Sequence, residues 1–251
     1  MFDPRARLKS NRSEVRALLL LAGFLILIFV VFVQPERLDL TLSDAQCQQL
    51  NKQWQEKFVV DFAYSSTWKR DEFECPSVRS GLARGLQFLD ELEVEDADAR
   101  DVDFYQRLKR MSPLLDRDLL FSRAGKTTFE DSRITLNDLV LIDNNPLQVA
   151  GILIHELRHL EETKNTHVPC EREPSQSCDA SLLTDPQNGG AYNFNIYFLD
   201  QVRQNSNASA FHKKLASREM QVIFNNRFNQ MSENAPTRYQ LEPPYWLSAA
   251  Q

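Results

Sequence analysis

Residues 151–163 read GILIHELRHLEET. His155 and His159 stand four apart, and Glu156 follows the first histidine directly. In a helix, positions i and i+4 share a face one turn apart, so both imidazoles can aim at one point. Neutral imidazole binds zinc at about 2.0–2.1 Å. Glu156 sits about 100° round the helix from His155, which removes it from the ligand set. It is placed instead to take a proton from a water held at the metal, whose pKa zinc lowers to near 7. Ile152, Leu153 and Ile154 precede the motif, as suits a helix buried in the floor of a cleft.

This stretch resembles the active-site helix of the zincin metallopeptidases, whose HExxH pattern it reproduces as His155, Glu156 and His159. The resemblance implies zinc, a peptidase or amidase activity on a peptide or protein substrate, and an edge strand above the helix to hold extended substrate. Residues 133–143 could supply that strand. Arg158 and Glu161 depart from the stricter family pattern, which avoids charge at the spacer positions and takes an apolar residue two after the second histidine. Arg158 can face solvent or pair with Glu162 at i+4.

A catalytic zinc needs a third protein ligand. The metzincin form would place it at position 165 after a glycine at 162; these are Asn165 and Glu162, which excludes that class. Gluzincins take an acid about twenty positions beyond the second histidine. Counting on from His159 reaches Asp179, directly after Cys178. Aspzincins use an aspartate as third ligand, but their local motif is missing. Asp179 is therefore the expected ligand, with His167 the alternative and Asp185 a weaker one. Tyr192 could hydrogen-bond a tetrahedral oxyanion, although its helical spacing with Ile196 and Leu199 also reads as core packing.

The elements that must position these residues follow from the rest of the chain. Residues 17–33, ALLLLAGFLILIFVVFV, carry no charged or polar side chain and as a helix would span about 25 Å. Basic residues precede this run and no small-residue cleavage site follows it. The sequence thus predicts a cytoplasmic tail over 1–16, a transmembrane signal-anchor over 17–34, and a periplasmic or extracellular metallohydrolase-like domain over 35–251. All four cysteines, Cys47, Cys75, Cys170 and Cys178, lie in that last part. Sequential pairing into two disulfides closes the shortest loops and fits an oxidising compartment. The formal net charge of −6, with no basic cluster in the expected domain, argues against nucleic-acid binding.

Helices are expected from Ser43 to about Lys57, from Pro76-Ser77 through Leu92, near 102–110, from Asn145-Pro146 through the motif, over 191–202, and over 208–230. Strand-like stretches are 59–69 and 133–143; Gly125-Lys126-Thr127 reads as a turn. The expected fold is a helix-dominated α+β, zincin-like metallohydrolase domain on a single N-terminal transmembrane helix. The alternative is a non-catalytic, disulfide-bonded exported domain acting in envelope assembly or partner binding.

Overall fold

The computed structural model describes residues 42–70, 73–92, 102–119, 123–161, 167–183, 189–232 and 234–242. All belong to one compact unit, Leu42–Gln251. Helix α1 (Asp44–Gln53) opens on a capping box in which Ser43 and Gln46 satisfy each other's backbone donors. It continues through a π turn, Trp54–Phe58, and a last turn at Val59–Asp61. Strand β1 is only Ala63–Tyr64. Helix α2 (Val78–Glu91) is capped by Ser77, and α3 (Phe104–Met111) by Asp103. Strands β2 (Leu114–Asp118), β3 (Gly125–Thr128) and β4 (Arg133–Asn137) follow. Next come α4 (Asp138–Asp143), the motif helix α5 (Pro146–Glu161), β5 (Val168–Pro169) and β6 (Ser177–Leu182). Helices α6 (Ala191–Gln204) and α7 (Ala210–Asn226), strand β7 (Phe228–Met231) and α8 (Ala235–Tyr239) complete the described chain.

Two small sheets flank the helices. The first has the order β1-β2-β4-β3, parallel except for the antiparallel β3–β4 hairpin, so β3 is its terminal strand. The second has the order β5-β6-β7. Helix α5 runs through the core. Leu147, Val149, Ala150, Leu153, Ile154 and Leu157 are all buried, each larger side chain contributing about 1.5–3 kcal/mol by leaving water. Asn145 caps this helix by accepting from Gln148 N–H at 3.0 Å, with Pro146 at the first position as the sequence predicts.

The structure corrects several expectations. Among the described residues no helix is long and apolar enough to cross a membrane. The described residues thus form an α+β unit, and the expected transmembrane helix and single-pass placement find no support among them. Residues 17–34, on which the assignment rested, lie outside the described residues. Residues 59–69 hold only a two-residue strand, because α1 extends to Asp61 and a 3₁₀ helix occupies Ser66–Arg70. The strand at 133 stops at Asn137, whose side chain accepts from Leu139 N–H at 2.8 Å and starts α4. Gly125-Lys126-Thr127 is not a turn but most of β3. The helix expected to reach 230 ends at Asn226, and β7 follows.

Both disulfides form with the sequential pairing, Cys47–Cys75 and Cys170–Cys178. The first ties α1 to the segment before α2. The second closes the hairpin of β5 and β6.

A candidate metal centre of three histidines

Helix α5 presents His155 and His159 on one face, as their spacing requires. The nitrogen that joins them comes from His167, just before β5. Its Nε2 lies 3.1 Å from His155 Nε2 and 3.1 Å from His159 Nε2. The donor atoms of all three lie within 4.8 Å of one another, a set that could hold a metal ion. A tetrahedral ion at about 2.0–2.1 Å from each nitrogen would separate them by about 3.3 Å. The donor set therefore fits zinc in type and in spacing. Burial, with His167 and His159 adding to it, holds His155 well below the usual imidazole pKa. It is thus neutral near pH 7, the form that ligates.

Asp179 is not among the three converging groups. Its Oδ1 accepts from His167 Nδ1 at 3.2 Å, on the side of the ring away from the other histidines. Its Oδ2 accepts from Asn193 N–H at 2.9 Å and from Asn193 Nδ2 at 3.0 Å. The structure thus brings His167, and not the expected Asp179, together with His155 and His159, and the Asp179 carboxylate lies behind the His167 ring. A carboxylate behind a ligating imidazole is the usual partner in such sites. Gly190 is required here, since a Cβ on it would lie 2.6 Å from each atom of the Asp179 carboxylate. The third candidate, Asp185, lies outside the described residues.

Glu156 is buried at 6% exposure, between α5 and β3. Thr127 Oγ1 reaches both its Oε2, at 2.8 Å, and its own carbonyl oxygen, at 2.9 Å. A Cβ at position 125 would come within 2.8 Å of Glu156 Oε1, so only glycine lets β3 lie this close. Burial pushes the Glu156 carboxyl up to about 7, against the pull of the Thr127 hydrogen bond. A carboxyl poised there suits general-base work near neutral pH.

Strand β3, rather than residues 133–143, is the edge lying over the motif helix. Asn137 N–H bonds Ala124 C=O at 3.1 Å. The antiparallel register then makes 126/135 and 128/133 the hydrogen-bonded pairs. Gly125 and Thr127 consequently turn their backbone N–H and C=O groups toward the outer edge.

Tyr192 is half-buried, its ring stacked on His167 at 4.6 Å and edge-on to His155 at 4.6 Å. It is a wall of the site. Arg158, expected to face solvent or to pair with Glu162, is instead buried at 2% exposure. It donates to Gly189 C=O through Nε at 3.1 Å and Nη2 at 2.9 Å, and pairs with Glu161 at 3.2 Å. Arg107 completes this cluster on Glu161. The two departures from the zincin pattern thus bind each other and fasten the segment that leads to Asn193.

Comparison with protein families, with curated proteins and with solved structures returns no match. The functional reading therefore rests on the geometry and chemistry of this site.

Proposed function

We propose that the protein is a zinc-dependent hydrolase of peptides. The observation that carries this reading is the convergence of His155, His159 and His167 beside a buried, Thr127-bonded Glu156. In this reading the three imidazoles bind zinc through Nε2, and Asp179 holds the proton on His167 Nδ1. Zinc supplies Lewis acidity toward a carbonyl oxygen and acidifies water. Glu156 would serve as general base toward an attacking water and would pass that proton to the leaving amine as the C–N bond breaks. The outward backbone groups of Gly125 and Thr127 pair with an extended peptide, adding a strand to the sheet edge. Tyr192 confines the metal-facing side. Two disulfides suit a protein that works in an oxidising compartment.

The test is to incubate the zinc-loaded protein with a diverse peptide mixture and map new termini by mass spectrometry. Cleavage that disappears on chelation and in Glu156→Gln supports the reading. Intact peptides in the presence of one bound zinc per chain would refute it.

A further inference from the structure

Beside the three histidines, α5, α6 and α7 line an open pocket of about 410 Å³, with Tyr192 and Arg227 in its wall. Arg227 caps α7 immediately before β7. Its guanidinium lies over the Tyr192 ring at 5.4 Å, and Nη1 donates to Gln176 Oε1 at 3.1 Å and Ser177 C=O at 3.3 Å. Among the described residues no carboxylate pairs with it. Of the described acids, Asp179 is engaged by His167 and Asn193, and Glu156 by Thr127. Glu219 is on the cavity wall but bonds Gln148 at 3.2 Å. Gln148 stands seven residues before His155, about 10 Å along the helix. The arginine end of the cavity is therefore the end that adjoins the metal centre.

Two further features point to a ligand. Asn195 Oδ1, in the same wall, is buried and has no hydrogen-bond partner. Arg123, exposed just before β3, is a second cation whose charge bears on both Glu156 and Tyr192. A half-buried guanidinium without a carboxylate, in the wall of a pocket, is a ready partner for a carboxylate.

We propose that Arg227, aided by Arg123, recognises a carboxylate of the substrate next to the bond that is cut. The substrate class is a peptide with either an acidic side chain or a free C-terminal carboxylate at that position. This deepens the hydrolase reading and rests on it for the identity of the substrate.

The experiment uses zinc-loaded full-length protein carrying Glu156→Gln, so that binding is read apart from cleavage. Acetylated pentapeptides are compared by calorimetry in matched sets: free C-terminal acid against carboxamide, and internal Glu against Gln. A preference of about 10-fold or more for one acidic member is expected, and which set shows it separates the two sources. Adding Arg227→Gln should collapse that ratio toward one, Arg227→Lys should keep part of it, and Arg123→Gln should lower it modestly. Equal binding of acidic and neutral peptides would overturn the proposal, as would a ratio that survives Arg227→Gln. Equal loss for all peptides would also overturn it, since Arg227 would then serve only to hold Tyr192. The hydrolase reading has a separate failure, absence of cleavage by the protein with Glu156 intact. In the active protein the ratio of kcat/KM for acidic over neutral peptides should follow the binding ratio.

Discussion

Three side chains of similar appearance in the sequence carry different loads in the site. Glu156→Gln keeps size and removes the base, so zinc content should hold while hydrolysis falls by at least about 10²-fold. His167→Ala leaves two imidazoles and should lose the metal, as two protein ligands rarely hold zinc. Asp179→Asn should fall between them, weakening zinc binding about 10–100-fold without abolishing it. Zinc titrations of the three variants, with folding checked by circular dichroism, rank these effects. Glu156 also makes stability depend on pH in the zinc-free protein. Its folded pKa of about 7 lies above the ordinary value of 4.5. The folded state therefore binds more protons between those values, and stability falls as pH rises through them. Relative to wild type, zinc-free Glu156→Gln should gain melting temperature at pH 8 and gain little at pH 4; an equal difference at both pH values would contradict this. Arg158 and Glu161 illustrate a limit of pattern matching at this scale. Both read as departures from the zincin helix, yet each is the other's partner across one turn.

At the scale of elements, the motif helix was legible because its apolar run, cap and histidine spacing all agree within sixteen consecutive residues. The third converging imidazole was not. His167 and Asp179 face each other across the β5–β6 hairpin, and nothing in linear spacing separates a ligand from the acid behind it. Strand β3 was hidden for another reason. Gly125, which reads as a turn residue, is there to admit the Glu156 side chain. Gly125→Val should therefore lift β3 from α5 and reduce peptide hydrolysis about 10-fold or more while zinc stays bound; full activity would show that the close approach is dispensable. The hairpin offers a second test. Cys170–Cys178 closes an eight-residue separation that lies within the interval from His167 to Asp179. Replacing both cysteines by serine should weaken zinc binding more than it lowers unfolding stability. Replacing Cys47 and Cys75, whose bridge spans 28 residues and ties α1 to the segment before α2, should do the reverse, costing about 2–4 kcal/mol with zinc affinity unchanged. Equal effects of the two pairs on zinc would show that the hairpin does not position His167.

For the molecule as a whole, the sequence marked the α+β class, the helix-rich core and both disulfide pairings, since each follows from local periodicity or loop length. Sheet order did not follow, because β5–β6–β7 joins strands about fifty residues apart through backbone pairing that leaves no local signature. That sheet is nevertheless what brings the site together. β6 carries Asp179, β7 follows Arg227, and β5 follows His167, so a site started on one helix is bordered by a residue from near the end of the chain. On the proposed reading this assembly holds one metal ion through three histidines. The most direct measurement is elemental analysis of the purified, zinc-equilibrated and dialysed full-length protein beside its His167→Ala and Asp179→Ala variants. We predict close to one zinc per chain in the wild type, close to none in His167→Ala, and a retained but more easily dialysed zinc in Asp179→Ala. Zinc retained at full stoichiometry in His167→Ala and lost in Asp179→Ala, or no zinc in the wild type, would contradict the account.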